Sequence, residues 1–266
     1  MFCQNCGKKN KDSAKFCYNC GSSLKIEKDD DLDFNDEDSL DFDDEEFDPS
    51  TFSFKIKDAK ARRSYYERKA KEGDEKAIYI MATLCDISDE KLKALDYFKK
   101  ICKKYPSLYD QMGMIYEMDL EDEDSAFECY QQGAEYGDAE SIYSLGTCYL
   151  YGNGTEKNSE KAIELFEVAS DKGNGRAMVH LGKLYEEGEK VDLDEDLAFI
   201  YYKKACRVET FHKESHYRIG LCYYNGIGTD INESLGVKYI REAAECGNRS
   251  AKRWMDENGY EYEEND

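Results

Sequence analysis

Between Ser141 and Gly173 the apolar and small side chains return at helical spacing in two runs, parted by a polar break that holds two glycines. Ile142, Leu145, Gly146 and Tyr149 share one face of the first run, which predicts a helix. The glycine beside Leu145 predicts a close approach by a neighbouring backbone. Gly152 and Gly154 end the helix and admit positive φ. Asn158 then stands ahead of good helix formers, placed to N-cap a second helix. On that helix Ala162, Phe166 and Ala169 form a small-large-small stripe that fits against the first.

The pattern comes back twice downstream. Leu145-Gly146 recurs as Leu181-Gly182 and Ile219-Gly220, Tyr149 as Tyr185 and Tyr223, and Gly152 as Gly188 and Gly226. Phe166 recurs as Tyr202 and Ile240, Ala162 as Ala198 and Gly236, Ala169 as Ala205 and Ala243, and the cap as Asp194 and Asn232. A single hairpin of this kind cannot bury its apolar stripe alone, whereas stacked copies make a continuous core, so the period predicts a helical solenoid.

The run L-G-x-x-Y, the loop Gly152-Asn153-Gly154 and the Lys161-Ala162 opening of K-A-x-x-x-F-x-x-A resemble the Sel-one-like branch of the tetratricopeptide family. In the fourth hairpin Lys190 replaces the second loop glycine. Two earlier copies are more degenerate: Met112-Gly113-x-x-Tyr116 with Ala126 and Tyr130, and Met81-Ala82 with Ala94 and Phe98. Both lack the glycine loop, which predicts shorter links. The resemblance implies an all-α fold, a right-handed α/α solenoid over residues 55–258. Hairpins are expected to start near Asp74, Pro106, Asp138, Asn174 and Lys213. A lone helix over Arg62 to Lys71 precedes them, and a capping helix from about Arg249 to Asn258 carries Trp254. The acidic tail 259–266 is expected to fray.

In tetratricopeptide-like arrays the first helix of each hairpin lines the concave face. The resemblance therefore places Glu140, Tyr143, Thr147, Leu150 and Tyr151 there in the third hairpin. Arg176, Val179, Lys183 and Glu186 follow in the fourth, and Tyr217, Leu221, Tyr224 and Asn225 in the fifth. Tyr143, Tyr151, Val179, Tyr217, Leu221 and Tyr224 are the candidate partner-binding residues. Tyr143 and Tyr217 occupy an aromatic position common in the family, which packing also explains. Tyr151, Leu221 and Tyr224 are the better candidates for contact. The family is mostly one of adaptors and scaffolds.

A different chemistry opens the chain. Residues 1–26 hold Cys3-x-x-Cys6 and Cys17-x-x-Cys20, each pair followed by glycine. Two such knuckles supply four thiolates at a spacing suited to one tetrahedral Zn²⁺, a closed and therefore structural site. The segment resembles the short zinc ribbon found at the start of many bacterial proteins, with Gln4 and Tyr18 where that family often has proline. So short a module has no core of its own and depends on its metal. Residues 27–54 form an acidic linker: from Glu27 to Asp48 there are fourteen acids and one lysine. Such a run repels itself and is expected to be disordered. Phe34, Phe42, Phe47, Phe52 and Phe54 are spaced through it, so a docking peptide and a plain tether both fit.

Composition narrows the classes further. The 266 residues carry 59 acidic against 37 basic side chains, a net charge of -22, which disfavours nucleic acid as a partner of the whole molecule. The ribbon, with Lys8, Lys9, Lys11, Lys15 and Lys25 against Asp12, keeps open a second reading as a nucleic-acid- or transcription-associated regulator. No apolar run approaches the roughly 20 residues of a membrane span. No secretory signal is visible at the N-terminus, so a cytoplasmic location is expected. The seven cysteines beyond the ribbon show no regular pairing and are expected to be reduced and buried. The three histidines, His180, His212 and His216, lie in no metal-ligand or nucleophile pattern, and no phosphate-binding loop is present. The expectation is a non-enzymatic, monomeric adaptor that holds a protein or peptide on its inner face.

Overall fold

The computed structural model describes residues 48–49, 56–188, 191–208 and 212–263. The four ribbon cysteines, the acidic linker to residue 47, Phe52, Phe54 and Lys190 lie outside the described residues. Among the described residues every regular element is helical. The described residues divide into two compact units, one ending at Ile101 and the other beginning at Cys102.

In the first unit the helices are α1 (Ile56–Ala61), α2 (Arg63–Glu72), α3 (Glu75–Ile87) and α4 (Lys91–Ile101). The expected lone helix is α2: Tyr66 is buried and Gly73, at φ +93°, caps its C-terminus. The short α1 ahead of it has no counterpart in the sequence reading. Asp74 caps α3 by accepting from the Ala77 amide at 2.7 Å. α3 packs on α4 across a three-residue link, burying Ile80, Met81, Leu84, Leu95 and Phe98.

The second unit runs through α5 (Ser107–Met114), α6 (Glu123–Glu135), α7 (Ala139–Tyr151), α8 (Ser159–Asp171), α9 (Gly175–Glu187), α10 (Glu195–Ala205), α11 (His212–Asn225), α12 (Glu233–Glu245) and α13 (Arg249–Glu257). Successive helices pair as the hairpins α5–α6, α7–α8, α9–α10 and α11–α12, each stacked on the next. Both degenerate hairpins have the shorter links expected of them. Three residues join α3 to α4 and three separate the end of the α5 segment from α6, against seven in each later hairpin. The α5 helix also ends in a π-helical turn, Ile115–Asp119, which the pattern did not disclose.

The second-helix caps form as predicted. Asn158, Asp194 and Asn232 accept from the amides of Lys161, Leu197 and Leu235 at 2.9–3.0 Å. The glycines of the Leu-Gly pairs admit the backbone approach expected at Gly146, where an added Cβ would lie 3.3 Å from the Ala162 carbonyl oxygen, and they also make room for side chains. A Cβ on Gly146 would stand 2.7 Å from the Phe166 ring, and one on Gly182 2.5 Å from the Tyr202 ring. The vacancy is thus filled by the aromatic of the second helix, and only at Gly220 does a backbone, at Gly236 and Ile240, also come within 3.0 Å. Phe166, Tyr202 and Ile240 are fully buried, each worth about 2–3 kcal/mol of apolar burial.

The two loop glycines have separate tasks. Gly152, at φ +87°, ends α7 by donating its amide to the Cys148 carbonyl at 2.7 Å. A Cβ on Gly154 would lie 2.4 Å from the Glu123 carbonyl oxygen, at the start of the preceding hairpin's second helix. Gly228 stands in the same relation to Glu195, so in the third and fifth hairpins the second glycine seats the loop against its neighbour.

The first-helix caps also join repeats. Asn174 accepts from the Ala177 amide at 2.9 Å while its Nδ2 donates to the Ala139 carbonyl at 3.2 Å. Asn248 repeats this with Ala251 and Lys213, and its Nδ2 also donates to Glu214 at 3.0 Å. The tail does not fray where expected: Tyr260 stacks on Trp254 at 5.7 Å, and Arg241 Nε donates to the Glu261 carbonyl at 3.0 Å. None of the seven described cysteines is joined in a disulfide; five are buried, Cys206 is half-buried and Cys246 is exposed. Burial pushes the Cys148 and Cys222 thiols up to about 12, so they stay neutral and act as small apolar groups.

Candidate functional site

The repeat period stacks the first helices of successive hairpins side by side, and their outward positions meet in a hollow of about 430 Å³. α7 contributes Tyr143, Leu150 and Tyr151; α9 contributes Arg176, Val179, His180, Lys183, Leu184 and Glu187; Glu214 comes from α11. Leu150, Val179 and Leu184 are buried and form its floor, whereas Tyr151 is 52% exposed at its edge.

One wall is a chain of aromatic and charged contacts. His180 stacks on Phe166 at 4.7 Å and 24°, and its Nδ1 lies 3.5 Å from the Tyr143 hydroxyl. The Arg176 guanidinium sits 5.1 Å from the Tyr143 ring centroid and pairs with Glu140. Burial raises the Tyr143 pKa, with Arg176 pulling the other way, so the phenol remains neutral at physiological pH. The opposite wall is a carboxylate network. Glu214 meets Lys183 at 3.6 Å and Arg218 at 3.3 Å, and Arg218 reaches Glu186 at 3.9 Å. Burial works against the Arg218 charge, yet Tyr202, Glu214 and Glu186 together hold its pKa above the usual value. The Tyr202 hydroxyl donates to Glu186 at 2.5 Å, as Tyr130 does to Glu117 at 2.8 Å in the second hairpin.

Three of the six candidate residues, Tyr143, Tyr151 and Val179, therefore meet in this hollow. Tyr217, Leu221 and Tyr224 do not line it; they pack with Trp254, Tyr260 and Tyr262 around the buried Val237, Ile240 and Met255. Tyr224 meets Trp254 edge-on at 4.9 Å. Sequence reasoning had passed over His180, Glu187 and Glu214. The repeat register alone could have found Glu187, which occupies in the fourth hairpin the place Tyr151 holds in the third.

No three of the described histidine, cysteine and acidic residues come together as a metal site. No described helix is long and apolar enough to cross a membrane. His216 is buried beside Glu242 at 3.6 Å and Tyr239, a packing contact between α11 and α12.

Comparison with known proteins gives the same organisation. Residues 2–24 match a zinc-ribbon domain, and residues 110–138, 139–174, 175–207 and 213–248 each match the Sel1 repeat, together half of the chain. Over 95 residues the chain is 34% identical to an ERAD-associated E3 ubiquitin-protein ligase component, HRD3B, of Arabidopsis thaliana, covering 36% of this chain and 16% of that protein. It is 28% identical over 166 residues to the mouse DAP3-binding cell death enhancer 1, 48% of this chain and 32% of the relative. It is 30% identical over 129 residues to chitin synthase regulatory factor 3 of Schizosaccharomyces pombe, 48% of this chain and 14% of the relative. The chain thus spans a third or less of the length of these curated relatives. Among solved structures, a Sel1 repeat protein from Oxalobacter formigenes superposes with a TM-score of 0.63 at 23% identity, over 73% of this chain and 58% of that one. A protective antigen of uropathogenic Escherichia coli gives 0.62 at 23% identity, over 76% and 46%.

Proposed function

The chain belongs to the Sel1-repeat family, and from that premise we propose that it is a non-enzymatic adaptor whose repeat array holds a segment of a partner protein in the hollow of α7, α9 and α11. The observation that carries this reading is the exposed Tyr151 ring beside a buried apolar floor, framed by ion pairs that fix the hollow's walls. Interface hot spots are built this way, from a rigid aromatic over a desolvated floor. Relatives named as a ligase component and as a regulatory factor are consistent with an assembly role. The working unit is a single chain of 30.8 kDa, which light scattering would verify. Eleven cysteines, four of them proposed as zinc thiolates, suit a reducing compartment such as the cytoplasm.

The accessory module is a structural zinc site formed by Cys3, Cys6, Cys17 and Cys20. Zinc contributes on the order of 10 kcal/mol to modules of this size, so chelation unfolds the ribbon and leaves the helical circular dichroism of the array. Elemental analysis is expected to give one zinc per chain, and a metal-free purified protein contradicts the assignment.

The adaptor reading is tested by quantitative co-purification with Tyr151→Asp against Ile231→Ser, a change at an exposed apolar residue away from the hollow. Partners lost from the first variant and kept by the second support it. Identical partner sets for both overturn it.

A further inference from the structure

The charges of the hollow are not equivalent. Its two cations are already committed, Arg176 to Glu140 and Lys183 to Glu214. Glu214 is itself shared between Lys183, Arg218 and Asn248. Glu187 differs: it is exposed at the end of α9, lines the hollow, and has no ion-pair partner among the described residues. One repeat earlier the same place is taken by Tyr151, whose half-exposed ring lines the same hollow.

An anionic ligand entering here would have to displace Glu140 or Glu214 from its cation and would meet Glu187 with like charge. A cationic side chain meets neither obstacle. Its methylene stem lies on an aromatic face and its charged head reaches a carboxylate, an arrangement in which cation–π and ionic attraction act together. The long-range field acts in the same direction, since a chain of net charge -22 raises the encounter rate with basic segments and repels acidic ones. Resting on the adaptor reading above, we infer that the segment held in this hollow is a basic peptide. A lysine or arginine lies between the Tyr151 ring and the Glu187 carboxylate, next to an apolar residue set over Leu150 and Val179.

The test uses the full chain and a displayed library of random dodecapeptides at about 150 mM salt. The acidic linker also attracts basic peptides, so the library is first cleared on the Tyr151→Ala/Glu187→Lys double variant, which keeps that linker intact. Both positions are exposed, and circular dichroism verifies that the variant is folded. The expected survivors carry Lys or Arg within two residues of Leu, Ile or Phe. A synthetic survivor binds at least tenfold more weakly to Glu187→Lys and a few-fold more weakly to Glu187→Gln. Replacing its basic residue with Glu restores binding to Glu187→Lys, the signature of a direct charge pair. Survivors that are acidic or uncharged overturn the inference while leaving the hollow as a peptide site. No survivor that distinguishes the chain from the double variant overturns both this inference and the adaptor reading.

Discussion

The third and fifth hairpins present their inner faces from the same register, Tyr143 matching Tyr217, Thr147 matching Leu221 and Leu150 matching Tyr224. Their surroundings differ. Beside α7 stands another first helix, α9, whose Arg176, Val179 and Lys183 complete an open hollow. Beside α11 stands α13, the last helix, whose Trp254 covers Tyr224 and is itself covered by Tyr260. The same register thus lines an open hollow in the middle of the array and packs against the last helix at its end. A terminal repeat has no neighbour to bury its stripe, so a capping element must do it.

The comparison breaks most severely at the cap. Trp254→Ala is expected to destabilise the array by about 3 kcal/mol, as for large aromatic truncations. Hydrogen exchange should localise the loosening to α11–α13, and protection there equal to that of the parent would show that α13 does not cover the fifth hairpin. Next in size is the pair of tyrosines. Tyr224→Ala should lose about 2 kcal/mol in urea denaturation, and Tyr151→Ala no more than about 0.5 kcal/mol, because one ring is packed and the other borders solvent. Equal losses would erase the distinction between the two hairpins.

The two asparagine clamps sharpen it. Aspartate at either place keeps the cap acceptor and loses the Nδ2 donor to the preceding repeat. Asn174→Asp should cost about 1 kcal/mol, the net worth of a hydrogen bond. Asn248→Asp should cost roughly 2 kcal/mol, because Asn248 also donates to the Glu214 carboxylate and the change sets two acids together.

The smallest effect concerns Asp110 on α5, buried and accepting from the Ser144 hydroxyl on α7 at 2.6 Å. Burial raises its pKa, with Ser144 and then Arg176 opposing. The folded state therefore holds this proton to higher pH than the unfolded chain. The stability contribution is fully present below the unfolded value of about 4 and is lost as pH rises through the raised folded value. Asp110→Asn removes that decline, so the variant's stability profile across the window should be flatter than the parent's. Parallel profiles would mean that Asp110 ionises without penalty.

Much of this was legible because a repeat states the same physics several times over. Hairpin starts, the second-helix caps and the longer glycine loops follow from helical spacing and from side chains that bond to amides three residues away, all interactions within one segment. The hollow was legible in part. Tyr143, Tyr151 and Val179 were picked out from the register; Glu187 stands in the same register but was not picked out, because an acid in so acidic a chain carries no signal by itself. The first turn of the tail was misjudged for a related reason. Its acids argue for solvent, while Tyr260 and Tyr262 find a ring surface that exists only once α13 is in place.

The amino-acid sequence by itself determined the repeat, its helices and their ends, since these depend on spacing and local hydrogen bonds. Tertiary structure decided what each equivalent position does. The vacancy at Gly146 is filled by a ring twenty residues away, the close approach at Gly154 belongs to the preceding hairpin, and the fates of Tyr143 and Tyr217 are set by which helix stands beside them. Burial and charge pairing are properties of neighbours, and neighbours from other repeats are brought into place only by the stacking of the hairpins.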